Sequence, residues 1–283
     1  PTARFADSRV TSAMPTFEVE IEVQRPVPSD MNAKTLHRAL RTVTTYVLQG
    51  LQGTNYPVSM SQQEEARKAY RSLTGMKADA PLRPKSFIGP SSVTLQMRNV
   101  APANPNAQIP NVREGYAVTD KADGERKLML IDGSGAIYLI DTNMRIQFTG
   151  TRAGEAASYN SILDGEHILR DKQGAWINLY AAFDCYVLNK KDVRSQPFAG
   201  EGGRLELLRQ LVKRSNFEKT DGSTPSPLRV VSKSFYTGDT IFAAAAALQT
   251  QLDNGAVVYE TDGIILTPTE LAVGATRKAG KHS

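Results

Sequence analysis

A lysine with Asp-Gly two and three residues on and an arginine at the fifth is a spacing that suits covalent phosphorus chemistry. In the stretch Tyr116 to Asp132, YAVTDKADGERKLMLID, Lys121 stands ahead of Asp123-Gly124 and Arg126, between two runs that alternate as strands do. An amine nucleophile, a tight loop that admits phosphates and a fixed cation are what transfer of a nucleotidyl group onto a side chain needs. Lysine attacks only after losing its proton, and with a free pKa near 10.4 only about one in a few thousand is neutral at pH 7. Neighbouring cations lower that value, and Arg126, Lys127 and a bound metal are the candidates. The plainer reading is a hairpin turn, because Asp-Gly between alternating runs is a common hairpin signal. The chain has five such pairs, starting at Asp123, Asp132, Asp164, Asp221 and Asp262, so the choice depends on which residues come after Lys121 and in what order.

Three segments come downstream: ILDGEHI (Ile162 to Ile168), YAAFDCYVLN (Tyr180 to Asn189) and TDGIILTP (Thr261 to Pro268), each a strand with a polar residue in apolar surroundings. Singly, Asp164-Gly165 and Asp262-Gly263 read as turns, Phe183 as core and Glu166 as surface. In order, they resemble motifs I, III, IIIa and IV of the covalent nucleotidyltransferase superfamily, which contains mRNA capping guanylyltransferases and polynucleotide ligases. The resemblance covers roughly Phe87 to Pro268. FIGPSSVTL before Lys121, YLIDTNMRIQFTG after it and the KSFY segment are similar to capping enzymes of large DNA viruses. Ligases usually carry Glu-Gly in motif IV, whereas Asp-Gly followed by Thr-Pro is capping-like.

The resemblance implies roles. Lys121 attacks the α-phosphorus of GTP and holds GMP, later passed to the 5′-diphosphate end of RNA. Asp123 and Gly124 shape the loop, Arg126 contacts the ribose or the α-phosphate side, and Glu166 the ribose hydroxyls and a metal. Asp262 helps hold that ion, Mg²⁺ or Mn²⁺, a hard cation that prefers carboxylate and water oxygens. Phe183 and Ile265 border the purine. The family continues to a lysine-rich motif V and an OB-fold domain with motif VI, neither matched by the tail Arg277 to Ser283, and viral members add a methyltransferase module. The alternatives are a ligase-type adenylyltransferase for RNA or DNA, and a nucleotide-binding fragment with weak catalysis.

Other elements must position these residues. FEVEIEV, residues 17 to 23, puts Glu18, Glu20 and Glu22 on one face of an expected strand. The plain reading is an acidic edge strand. The acid alternation also resembles the metal-binding strands of tunnel-type RNA triphosphatases, which implies the end of such a module at the amino terminus. Leu36, Leu40, Val43, Val47 and Leu51 recur at helical spacing after a cap at Ser29 or Asp30. A second helix is expected from Ser61, with Glu64 completing a capping box, to Leu73. Proline-rich chain comes next, with a short strand over Ser92 to Met97. Strands are then expected over 116–119, 127–131, 136–141, 145–149, 161–169 and 175–188, helices over 203–214 and 240–252 with Asp239 as cap, and strands over 228–236 and 257–267. This mixture predicts an α+β chain: an ATP-grasp-like ligase/capping enzyme core of mainly antiparallel sheets flanked by helices. The expected division is a triphosphatase-like terminal region over 1–28, a helical linker over 29–85 and the nucleotidyltransferase domain over 86–283.

Lys plus Arg exceed Asp plus Glu by 34 to 29, a net +5 with pI about 9.2, which favours polyphosphate or RNA partners. A single cysteine, Cys185, excludes an intrachain disulfide and a cysteine metal cluster and fits a reducing compartment. His37, His167 and His282 are too scattered for a zinc site. Without an apolar run of 18 residues or a signal peptide, no membrane partner is expected, and the resemblance places the protein in a virion or the host cytoplasm, at a viral factory. Opening on Pro1, the chain reads as a piece excised from a longer protein.

Overall fold

In the computed structural model, the described residues are 18–24, 31–102, 110–222 and 226–275. The chain divides into two compact units, Pro1–Tyr46 and Val47–Ser283. In the first, residues 18–24 form no strand, and Phe17 lies outside the described residues. A strand needs a partner for its main-chain groups. Here Ile21 and Val23 instead line an apolar cleft with Leu36, Leu40 and Val43, so the expected acidic strand is corrected to exposed, unpaired chain.

Helix α1 (Ala33–Gln52) carries the expected apolar face but buries none of its residues fully. Its cap is Asn32, whose Oδ1 accepts from Thr35 N at 3.0 Å, while Ser29 and Asp30 lie outside the described residues. Helix α2 (Met60–Thr74) is capped two residues earlier than expected. Ser59 and Gln62 form the reciprocal pair, and the chain leaves the helix at Gly75. Residues 91–96 form no strand, and Met97–Val100 is a single helical turn, α3.

Ten strands come after it among the described residues. β1 (Tyr116–Ala122) pairs antiparallel with the last, β10 (Thr261–Pro268), as a small two-stranded sheet. The large sheet holds β2 (Glu125–Ile131), β3 (Ala136–Asp141), β4 (Ile146–Ala153), β5 (Ser161–Arg170), β6 (Trp176–Leu188), β7 (Lys191–Asp192) and β8 (Phe217–Lys219). Its order is β7-β6-β5-β2-β3-β4-β8, all antiparallel, and β9 (Arg229–Ser232) adds parallel to β6. Helices α4 (Arg204–Arg214) and α5 (Ile241–Asp253) complete the chain, the second capped by Thr240 rather than Asp239. The architecture is α+β with mainly antiparallel sheets.

Strand alternation gives the large sheet two apolar faces. Met129, Ile131 and Leu139 pack with Leu205, Leu208 and Leu211 of α4 on one, while Leu128, Leu130 and Ile140 pack with Ala66 and Tyr70 of α2 on the other. Residues 47–85, expected as linker, thus belong to the unit that contains the sheets. The small sheet is joined to the large one through Ala122, which clusters with Ile168, Leu179 and Ala181. Elsewhere on β1, Val118 meets Ile241, Ala244 and Leu248 of α5.

The five Asp-Gly pairs take three different roles. Those at Asp132 and Asp221 are turns. Asp164-Gly165 and Asp262-Gly263 lie inside β5 and β10. Asp123-Gly124 is no hairpin, because β1 and β2 lie in different sheets, and the pair hands the chain from the small sheet to the large one.

Candidate active site

Lys121 is exposed, whereas its neighbours Asp120 and Ala122 are buried. It sits where the β1–β10 register slips between Asp120 and Ala122. Such a bulge re-aims a side chain and is frequent beside active sites. Lys121 Nζ donates to both oxygens of Asp262, at 2.7 and 2.6 Å, so the two motif residues 141 positions apart meet across the small sheet. Both remain about half exposed, at 50% and 53%.

The pairing reverses the expectation for the nucleophile. Hydrogen bonding to Asp262 raises the Lys121 pKa above the ordinary lysine value, with Glu166 and Asp123 adding in the same direction. Lys127 points elsewhere: it occupies the opposite face of β2 from Arg126, buried and paired with Glu125 at 3.0 Å. Its charge does not activate Lys121.

The Asp123-Gly124 link is held by Asp123 N donating to Glu260 O at 2.9 Å. At Gly124 a Cβ would come 2.8 Å from His167 O and from Glu166 Cγ. Only glycine lets the link lie this close to β5, which brings Lys121 beside Glu166.

Arg126 is fixed from several sides. Its Nε and Nη2 donate to Asp164 at 3.1 and 2.6 Å, and Nη1 donates to Pro90 O at 2.6 Å. The rings of Phe87 and Phe183 lie 5.5 and 5.7 Å from its guanidinium carbon. Asp164 is fully buried and also accepts from the Tyr186 hydroxyl. In the sequence Asp164 reads only as a turn residue, although an acid after Ile162-Leu163 in a strand is itself a sign of a buried partner.

Glu166 stands opposite Arg126 in the β2–β5 register. Burial pushes its carboxyl up to about 7, offset in part by Lys233, Arg126 and Lys121. A cation or a hydrogen-bond donor brought close would favour its ionised form. Ile265 of β10 lies opposite Thr119, half-buried, while Phe183 is on the large sheet, so the two expected base-contacting residues belong to different sheets.

Lys233, in the KSFY segment, has a place that its sequence context does not signal. It is buried, pairs with Asp120 Oδ2 at 2.9 Å and donates to the main-chain oxygen of Asp120. Burial lowers its pKa.

Among the described residues no three His, Cys, Asp or Glu side chains gather as a metal cage. Mg²⁺ commonly binds through one or two carboxylates plus substrate phosphates. Exposed Asp262 and half-buried Glu166 fit that mode. Glu18, Glu20 and Glu22 belong to the first unit and form no cage of this kind among the described residues. No helix among the described residues is long and apolar enough to cross a membrane.

The chain is similar to several known proteins. The chain is 29% identical over 178 residues to the probable mRNA-capping enzyme of Acanthamoeba polyphaga mimivirus, a match covering 63% of this chain and 13% of that protein. It is 27% identical over 192 residues to the mRNA-capping enzyme of Danio rerio, covering 64% and 30%. The chain thus spans under a third of either relative. A solved mycobacterial DNA ligase D, complexed with ATP and MES, aligns over 57% of this chain and 51% of that one at TM-score 0.38 and 18% identity. The family model described as mRNA capping enzyme, catalytic domain, matches residues 23–280, so the chain belongs to that nucleotidyltransferase family.

Proposed function

We propose that the chain is an RNA guanylyltransferase core that takes GMP from GTP onto Lys121 and passes it to the 5′-diphosphate end of RNA. The observation that carries the reading is the Lys121–Asp262 pair, which joins the first and last motif strands at an exposed bulge. Neutral Lys121 Nζ attacks the α-phosphorus, an N–P bond forms, and the bond to the bridging β-phosphate oxygen breaks with loss of pyrophosphate. RNA diphosphate then attacks the same phosphorus and frees the lysine.

Before attack, Lys121 must shed its proton to solvent. Asp262 opposes that loss for as long as its carboxylate faces the ammonium alone. Turning Asp262 toward another positive charge removes this opposition. A divalent cation held by Asp262 and Glu166, when bound, supplies positive charge beside the phosphates. Arg126, locked by Asp164 and Pro90 O, presents a preorganised cation on the ribose and α-phosphate side. A purine between Phe183 and Ile265 would bridge the two sheets.

An OB-fold and a methyltransferase module belong to the same proposal for the full-length protein. So does the triphosphatase-type origin of Glu18, Glu20 and Glu22. The family resemblance supports both.

The test is incubation with α-labelled GTP or ATP and Mg²⁺ or Mn²⁺, with the adduct mapped by mass spectrometry. Label from GTP on Lys121, abolished by Lys121→Arg with the fold intact, is expected because a guanidinium stays protonated. Label from ATP alone indicates a ligase. Adduct on Lys127 or Lys233 overturns the assignment.

A further inference from the structure

Away from Lys121 the large sheet carries a concavity of about 540 Å³, within the range of ligand sites. It opens on the face opposite Arg126 and Glu166. Lys127, Gln147, His167 and Asn178 form a polar floor. Lys127 Nζ donates to Gln147 Oε1 at 3.2 Å and lies 3.2 Å from His167 Nδ1, and His167 Nε2 meets Asn178 Oδ1 at 2.8 Å. Nδ1 is therefore the acceptor and Nε2 the donor. The floor is neutral at its imidazole and amide groups, and its one buried cation, Lys127, is paired with Glu125 at the rim.

The walls are aromatic. Tyr56 lies on Gly150, where a Cβ would come within 2.5 Å of its ring; Gly150 has φ +72°, a conformation that glycine adopts without strain. The loop that carries Tyr56 is tied to β4 by Gln147 Nε2 to Gly53 O at 3.0 Å and Thr54 Oγ1 to Phe148 O at 2.6 Å. Trp176 is 58% exposed, with the Arg170 guanidinium 6.0 Å from its ring. One flat indole, one anchored phenol and a floor of amides suit a planar heteroaromatic group with hydrogen-bonding edges. The Arg170 cation beside Trp176 suits a phosphate next to it.

We propose that this concavity binds a nucleobase of the acceptor RNA, stacked on Trp176 or Tyr56, as a site separate from the GTP site. The inference rests on the guanylyltransferase reading for its choice of RNA. Topology supports it: Glu125, at the pocket edge, comes directly after Gly124, so a strand whose 5′ end reaches Lys121 need only cross the Asp123-Gly124 link to enter.

Trp176 is the only tryptophan in the chain, so its fluorescence reports on the pocket directly. The probe is a single-stranded oligoadenylate of about ten nucleotides, near the length one such site covers, with a 5′-hydroxyl that cannot accept GMP. We expect saturable quenching that persists at saturating GTP. Tyr56→Ala should weaken binding about five- to hundredfold, as loss of a base–aromatic stack does, while RNA-independent Lys121 adduct formation stays at the wild-type rate. Should Tyr56→Ala lose that adduct through misfolding, Trp176→Ala read by filter retention carries the same comparison, since its ring is mostly exposed. No quenching, quenching competed away by GTP, or unchanged affinity in the variants overturns the proposal while leaving an observed Lys121 adduct intact. Absence of the adduct in wild type overturns the guanylyltransferase reading instead.

Discussion

At the scale of single residues, Asp262 governs the protonation of Lys121, and that coupling gives a pH test in the metal-free protein. The carboxylate raises the Lys121 pKa, and Lys121 in turn holds the Asp262 carboxyl below its ordinary value. Replacing Asp262 by Asn removes the main upward influence, so the lysine titrates at lower pH and its neutral fraction at any given alkaline pH increases. We expect Asp262→Asn to speed modification of Lys121 by an amine-reactive probe, with the rate-against-pH curve moved toward lower pH, as read by mass spectrometry. The same change should slow metal-dependent guanylylation, whereas Asp221→Asn, in a loop turn, should alter neither curve. Faster modification with slower catalysis separates a role in phosphate chemistry from a merely structural ion pair. The order of the motifs and the resemblance they carry put Lys121 and Asp262 in one site, although 141 positions separate them. The sequence did not show the direction of the pKa shift, because that depends on which carboxylate a distant strand brings within hydrogen-bond reach.

At the scale of elements, strands were legible where alternation ran between turn residues: 136–141 is β3 at both ends, and the strands of motifs I, III and IIIa differ by a few residues. Alternation misled where no partner strand exists, at 18–23 and 92–97. Pairing is a tertiary fact, and β-propensity yields to it. Helix ends were less legible because adjacent polar residues compete for one capping geometry. Around α2 the expected box was Ser61 with Glu64, but Ser59 Oγ accepts from Gln62 N at 3.2 Å and Ser59 N donates to Gln62 Oε1 at 3.1 Å. Since α2 buries Tyr70 against the large sheet, its amino-terminal turn bears on the whole unit. Ser59→Ala is expected to cost about 1 kcal/mol in urea unfolding, and Ser61→Ala only a small part of that. A reversed order would return the cap to the position the sequence pattern favoured.

At the scale of the whole molecule, the site exists only while the small sheet stays docked on the large one. β1 supplies Lys121 and β2 supplies Arg126, yet the two strands do not pair, so their relative placement depends on contacts outside both ladders. One is the bridge between Val118 and Tyr236, and another is the buried Lys233–Asp120 pair. Asp120 precedes the nucleophile directly, so its buried carboxylate, paired with Lys233, ties β1 to the KSFY segment. The pairing was not legible in sequence: 113 residues separate Lys233 from Asp120, and an expected strand over 228–236 does not say which distant carboxylate its lysine meets. Removing one partner of a buried pair leaves an uncompensated charge, which costs about 3–5 kcal/mol. Lys233→Met is therefore expected to destabilise the protein by about that amount in denaturant unfolding. The double variant Lys233→Met with Asp120→Leu, which removes both charges together, should recover a large part of the loss. If the pair positions the nucleophile rather than merely stabilising the fold, the double variant will still form the Lys121 adduct more slowly than wild type under conditions where both are fully folded. Full recovery of stability together with wild-type adduct rates would confine Lys233 and Asp120 to a role in folding and leave the aim of Lys121 to the β1–β10 bulge alone.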